Sequence, residues 1–251
     1  MNTRSQTPIN FKILTLFPEM FPGILDFSIT GEALKKALWS YEAINIRDYA
    51  FDVRKTVDDT PYGGSAGMIF KADVLANAIE KNLSPKTKKI IYLSPRGKVF
   101  NQQLARQLAQ EDEIMMLCAR YEGIDQRVID EFAIEEISLG DFVLSGGEIA
   151  CVAIIDAIIR NIKGVLGCEE SLLEESFGSN DDDEFRNLIE YPHYTRPVIW
   201  RNRQVPKILL SGHHLKIKQF RLQQAKEYTA KLRPDLYEKY LQIFTKNNCS
   251  K

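Results

Sequence analysis

Residues 148–162 read Glu-Ile-Ala-Cys-Val-Ala-Ile-Ile-Asp-Ala-Ile-Ile-Arg-Asn-Ile, a helix-length segment that is apolar nearly all round. A surface helix shows a single apolar stripe, so a segment like this has to be buried on most sides. Two settings satisfy that requirement: the core of its own fold, or the face of a second subunit. The subunit is the favoured expectation, because the rest of the sequence already supplies helices enough to cover a sheet. Directly before it, residues 139–148 read Leu-Gly-Asp-Phe-Val-Leu-Ser-Gly-Gly-Glu, an apolar run bracketed by glycines. Glycine lets a backbone turn sharply or approach a ligand closely, and a solvent loop has no use for Phe142-Val143-Leu144. The stretch reads as a ligand-facing loop or as a strand, tight turn and core helix.

The pattern upstream bears on that choice. Residues 11–17, Phe-Lys-Ile-Leu-Thr-Leu-Phe, predict a buried strand ended by Pro18. Residues 30–38 predict a short amphipathic helix, and 43–49 a half-buried strand with Ile44 and Ile46 on one face. Segments 72–81, 101–110 and 126–132 read as helices; 89–93, 113–118 and 134–137 read as strands, the first ending in the turn Ser94-Pro95-Arg96-Gly97. Strands alternating with helices at this spacing imply an α/β fold with a largely parallel sheet covered on both faces. Ligands in such sheets collect at the carboxyl ends of strands. Residues 93–95, 119–123 and 139–147 all stand there, which favours the ligand-facing reading. The glycine-rich loop 56–68 is neither a P-loop nor Gly-x-Gly-x-x-Gly. Its length marks a functional or disordered segment, and Pro61, Tyr62 and Met68 argue against disorder.

The net charge of −1 conceals an uneven distribution. Residues 191–251 hold 13 Lys+Arg against 3 Asp+Glu, a balance of +10, whereas 169–190 hold 1 against 9, a balance of −8. A basic helical tail on a near-neutral body points to a polyanion, most often nucleic acid; the bland alternative is a solvated helical face. The acidic stretch, with Asp181-Asp182-Asp183-Glu184, reads as a flexible linker. In the tail, helices are expected over 215–232, with Ile217, Phe220, Tyr228 and Leu232 inward, and over 234–244. Cys118, Cys151, Cys168 and Cys249 form no Cys-x-x-Cys pair, so reduced thiols in a cytoplasmic protein are expected and a zinc site is not. No apolar run approaches the roughly 18 residues that span a bilayer, and the N-terminus lacks the apolar segment of a secretion signal.

Several stretches together resemble one family: Leu16-Phe17-Pro18-Glu19-Met20-Phe21, Lys55-Thr56-Val57-Asp58-Asp59, Pro61-Tyr62-Gly63-Gly64, Arg120-Tyr121-Glu122-Gly123-Ile124-Asp125, Gly140-Asp141-Phe142-Val143-Leu144, Pro192-His193-Tyr194-Thr195-Arg196-Pro197 and Ser211-Gly212-His213-His214. In this order they look like the bacterial tRNA (guanine-N1)-methyltransferases, a SPOUT-type family. The resemblance implies a methyltransferase domain over 1–167 whose parallel sheet carries a deep trefoil knot, a feature that composition and spacing could not have suggested. It further implies an acidic flexible linker over 168–190, a small basic α-helical tRNA-binding domain over 191–251, and a homodimer with its active site at the subunit interface. The partner is tRNA, with neither DNA nor membrane involved. The implied reaction moves the methyl group of S-adenosylmethionine to N1 of the guanine 3′ of the anticodon. A non-catalytic RNA-binding module and a knotted methyltransferase of ribosomal RNA are the alternatives.

The same resemblance assigns residues. Leu93, Ser94, Pro95, Ala119, Tyr121, Gly123, Leu139, Gly140, Asp141, Phe142, Val143, Leu144, Gly146 and Gly147 would hold the cofactor, the family commonly having glycine at the position of Ala119. Methyl transfer is mostly a matter of placement, but guanine N1 carries a proton and needs a general base. That base is assigned to Glu175, where the family pattern is Asp-Ser-Phe and this chain has Glu-Ser-Phe; Glu174 competes for the role. Arg160 matches the cation that would hold guanine O6, its other reading being a helix C-terminal charge. Tyr191, His193, Tyr194 and Arg196 would supply stacking surfaces for RNA. The family's use of Mg²⁺ makes Glu122 and Glu190 candidate carboxylates. Magnesium keeps most of its waters, so the sequence leaves its ligands unknown.

Overall fold

The first strand, β1 (Ile9–Thr15), is buried on both sides because its neighbours are parallel strands and its faces carry helices. The computed structural model describes residues 8–166, 175–177 and 184–248, in two units, Met1–Gly167 and Cys168–Lys251. In the first unit α1 (Ser28–Lys35), β2 (Trp39–Asn45), the short β3 (Asp58–Asp59) and β4 (Ile69–Phe70), α2 (Ala72–Asn82) and β5 (Thr87–Val99) follow β1. They are succeeded by α3 (Gln102–Leu108), β6 (Glu113–Leu117), α4 (Gln126–Glu131), β7 (Glu135–Ser138) and α5 (Gly147–Ile159). The main sheet is parallel throughout, in the order β2-β1-β6-β5-β7. Strand β6 shows why both faces are covered: Ile114 and Met116 enter one core, Met115 and Leu117 the other.

Strand β1 lies two residues upstream of its expected 11–17, and two further strands depart from their expected bounds for reasons visible in the packing. Strand β2 begins at Trp39, whose buried ring packs edge-on to Phe11 with centroids 6.1 Å apart. It stops at Asn45, whose side chain accepts the Arg47 N–H and starts a 3₁₀ turn, Ile46–Tyr49, in place of the expected strand. In β5 the Ser94–Gly97 turn becomes an irregularity inside the strand, with the pairing to β7 shifting register between Leu93 and Lys98.

Helix α5 is buried chiefly by its own chain. Cys151, Ile154, Ile155, Ile158 and Ile159 share a core with Ile114 and Met116 of the sheet, Leu108 of α3, and Phe21 and Leu25 beside the 3₁₀ turn Gly23–Asp26. Its all-round apolarity therefore needs no second subunit, against the favoured expectation. Ile149, in its first turn, stays exposed.

Glu113 opens β6 in a buried polar niche. It accepts hydrogen bonds from Ser84 Oγ (2.7 Å), Thr87 Oγ1 and Asn10 Nδ2 (3.0 Å), and lies 3.3 Å from Lys12 Nζ. Burial alone would raise its pKa, but the three hydrogen bonds and the Lys12 charge prevail and hold it at about 2. A carboxyl depressed in the folded state contributes stability above its unfolded value and loses it as pH falls towards the folded one. Glu113→Gln is therefore expected to cost about 3 kcal/mol at neutral pH in denaturant unfolding. The gap to wild type should close between pH 4.5 and about 2.

In the second unit the hairpin β8 (Ile199–Trp200) and β9 (Arg203–Gln204) precedes α6 (His214–Leu232) and α7 (Pro234–Asn248). Its core joins Phe185, Leu188, Tyr191, Ala225 and Tyr240. Residues 184–190, read as linker, thus contribute two core side chains. The inward face of α6 runs through Leu222, Ala225 and Thr229, whereas Tyr228 and Leu232, expected inside, are exposed. Among the described residues no helix is long and apolar enough to cross a membrane.

Candidate functional site

Parallel strands all deliver their carboxyl ends to one edge, and there the three loops singled out in the sequence meet. They enclose a cleft of about 260 Å³. Of the expected cofactor-binding residues, all but Asp141 line it, and Asp141 is exposed nearby. Leu139, Phe142 and Leu144 give apolar surface. Arg120, Glu122 and Ser145, within the expected loops, complete the wall with Tyr92, Ile137, Ser138 and Ala150, and these last four were not singled out from the sequence. Burial, aided by the Glu136 charge, raises the Tyr92 hydroxyl above its ordinary pKa, so it remains a donor.

Backbone bonds tie the loops together. Gly147 N–H donates to Ala119 O (3.0 Å), Phe100 N–H to Ser138 O (2.8 Å) and Gly140 N–H to Ser138 Oγ (3.1 Å). The first bond needs glycine: a Cβ at Gly147 would lie 2.8 Å from Cys118 Cα. At Gly146 a Cβ would lie 2.3 Å from Arg120 Nε, so this glycine makes room for the arginine. Cys118, whose Cα backs Gly147, is buried beside Cys151; burial pushes its thiol well up, leaving it protonated and unsuited to nucleophilic work.

Below the cleft lies a buried charge pair. Glu148, 1% exposed, is the one acid in the first turn of α5, where a carboxylate also suits the helix dipole. Its Oε1 accepts from Thr15 Oγ1 (2.9 Å), and its Oε2 stands 3.0 Å from Arg120 Nε, an ion pair whose N–H is not aligned for a hydrogen bond. Arg120 in turn donates to Ser145 O (3.2 Å) and lies 4.6 Å above the Phe17 ring. One guanidinium thus joins the end of β1, the loop after β6 and the loop before α5. A signal existed in the sequence: a carboxylate entering an apolar helix needs a partner.

The remaining assigned residues fall elsewhere. Arg160 is half-buried at the C-terminal end of α5, its N–H donating to Asp156 O (3.2 Å). Glu175 is half-buried in the second unit, and Glu174 lies outside the described residues. Ser176 Oγ accepts the Glu190 N–H (2.9 Å), which anchors the backbone beside Glu175. Of the expected stacking residues, Tyr191 is a correction: it is 6% exposed and covered by Arg221, 4.9 Å above its ring. Its ring is needed to fill the small core of this unit. His193 Nε2 is 2.7 Å from Glu190 Oε1, and Tyr194 and Arg196 are exposed. Among the described residues no group of three or more His, Cys, Asp or Glu is placed to hold a metal ion.

A family model described as tRNA (Guanine-1)-methyltransferase TrmD matches residues 9–239. Similar proteins named tRNA (guanine-N(1)-)-methyltransferase occur in several bacteria. That of Rhodospirillum rubrum is 51% identical over 229 residues, 91% of this chain and 92% of the relative. That of Rickettsia akari is 50% identical over 225 residues, 89% of this chain and 95% of the relative. That of Wolbachia pipientis is 48% identical over 228 residues, covering 90% and 94%.

Proposed function

The chain belongs to the tRNA (guanine-1)-methyltransferase family, and from that premise we propose that it transfers the methyl group of S-adenosylmethionine to N1 of the guanine 3′ of the anticodon in tRNA. The observation that carries the reading is the strand-end cleft, where apolar side chains and turned backbone stand together. That combination fits an adenine with an apolar face and a polar edge. Leu139, Phe142 and Leu144 take the ring faces, and backbone groups of residues 119–123 and 139–147 take the polar atoms. When bound, S-adenosylmethionine supplies an electrophilic methyl carbon. The non-catalytic and ribosomal-RNA alternatives find no support in relatives named for tRNA methylation.

The protein's own part is to prepare guanine. Glu175 removes the N1 proton, and Arg160 balances the negative charge that then grows on O6. The segment 168–190 carries the base, and the basic region 191–251, with its excess of Lys and Arg, holds tRNA phosphates. A trefoil knot is the finer reading of the first unit, supported by the family and by the bonds that interlace the segments after β5, β6 and β7. A homodimer with the active site at its interface is supported by the exposed apolar residues Ile24, Phe27 and Ile29 and, on α5, Ile149. A cytoplasmic location follows from the substrate.

The test is transfer of labelled methyl from S-adenosylmethionine to tRNA carrying G or A 3′ of the anticodon. The G-bearing tRNA is expected to take up label, with the A-bearing one at background. Equal labelling of both would overturn the proposal.

A further inference from the structure

The hairpin β8–β9 was not read from the sequence, and it presents the most exposed tryptophan of the described chain. Trp39 is 1% exposed, whereas Trp200 is 56% exposed. Trp200 stands directly across the two strands from Arg203, so both side chains project from one face of the ribbon. Arg201 lies over the indole, its guanidinium carbon 4.9 Å from the ring centroid. One indole is thus accompanied by two guanidinium groups on a small, solvent-facing platform. Ile199 and Val198 beside it are exposed as well.

The turn adds an independent observation. Arg201 and Asn202 link the strands with φ of 45° and 62°. Two-residue hairpin turns of this hand favour Asn and Gly. Asn202 conforms; Arg201 holds a backbone conformation that glycine would adopt at less cost. Folding gives no reason for arginine there, but a guanidinium over Trp200 does.

Charge selects the occupant. From Tyr191 to Lys226 the sequence contains eight Lys+Arg and no Asp or Glu. Among the described residues no carboxylate pairs with Arg196, Arg201, Arg203 or Lys207. An acidic protein or an anionic lipid surface could also meet these cations, but neither offers the flat bases that stack on an exposed indole and guanidinium. Single-stranded RNA uses both: its bases stack on aromatic and guanidinium planes while its phosphates meet arginine. We infer that the β8–β9 hairpin is an RNA-docking platform, on which an unpaired nucleobase stacks against Trp200 while Arg201 and Arg203 hold the adjoining phosphates. This rests on the proposed tRNA reaction and moves the stacking role from Tyr191, which is buried, to Trp200.

Tryptophan emission gives a direct readout, since Trp39 is shielded and Trp200 is not. Saturating tRNA is expected to quench the emission of the wild-type protein, and Trp200→Ala should lose that quench. Trp200→Ala should raise the KM for tRNA about tenfold, with kcat and the Kd for S-adenosylmethionine little changed. Arg201→Gly should raise that KM several-fold while leaving the melting temperature equal or higher, a combination that a purely structural arginine would not give. Unchanged emission at saturating tRNA, or an unchanged KM in both variants, overturns the platform while methyl transfer by the wild type stands. Absence of methyl transfer to any tRNA by the wild type overturns the proposed function instead. Retention of the variants' tRNA affinity together with lost self-association would give the hairpin to a second copy of the chain and overturn the RNA assignment.

Discussion

Glu175→Gln is expected to slow methyl transfer about a thousandfold, within the range that a positioned general base contributes. Guanine N1 offers no lone pair until its proton leaves, and glutamine matches glutamate in shape but cannot take that proton. The Kd for S-adenosylmethionine should stay within about twofold, because none of the residues lining the cleft belongs to this segment. The reach of the side chain is open to a second test. The backbone beside Glu175 is fixed by the Glu190 N–H on Ser176 Oγ and by the Phe177 N–H on Leu188 O (3.5 Å). A carboxylate one methylene shorter starts from the same anchored backbone, so Glu175→Asp should keep a measurable part of the rate while Glu175→Gln does not. With the base assigned to Glu175, Glu174→Gln should change kcat by less than about threefold. A collapse of kcat in Glu174→Gln, with Glu175→Gln nearly intact, would transfer the role to Glu174.

The sheet and the meeting of three loops at its strand-end edge were legible in the sequence because both rest on local signals. Alternating apolar runs and helical periods predict parallel strands, and parallel strands dictate which loops share an edge. Residues 93–95, 119–123 and 139–147 therefore came together as expected. Boundaries were less legible where side chains far apart in sequence decide them. Trp39 extends β2 upstream by packing on Phe11, and nothing near Trp39 announces that partner. The apolar helix exposes a second limit: periodicity says that α5 is buried but not by what. The 3₁₀ turn Gly23–Asp26 and α3 proved sufficient to cover much of it beside the sheet.

In the second unit composition misled for a physical reason. Tyr191 and Trp200 are both aromatic residues in a basic stretch, so the sequence treats them alike. A core as small as Phe185, Leu188, Tyr191, Ala225 and Tyr240 needs every large ring within reach, and Tyr191 is drawn in. Trp200 sits at the tip of a two-residue-turn hairpin, too far out to be covered, and keeps its face for a ligand. The hairpin itself was hidden because its turn carries Arg201-Asn202 in place of the Asn-Gly that usually signals one.

Glu148→Ala is expected to lower stability by about 3 kcal/mol and the melting temperature by roughly 6–12 °C. The carboxylate is almost fully buried, and its removal strands two groups: the Thr15 hydroxyl and the Arg120 guanidinium. Breaking a buried pair costs about 3–5 kcal/mol because the surviving charge has no partner. The Arg120 side chain retains 23% exposure, which lets water relieve part of that cost and favours the lower figure. The effect should reach the cleft as well. Arg120 secures the Ser145 carbonyl in the loop before α5, so a guanidinium turned towards water releases that loop. The Kd for S-adenosylmethionine should then rise about tenfold, a loss of roughly 1.4 kcal/mol in loop ordering. Glu148→Gln separates shape from charge: it can still accept from Thr15 but cannot neutralise Arg120, so its melting temperature should fall between those of Glu148→Ala and wild type. Adding Arg120→Ala to Glu148→Ala should cost little more than Glu148→Ala alone, because the stranded charge leaves with the arginine. Full additivity of the two substitutions would show that the pair does not act as a unit.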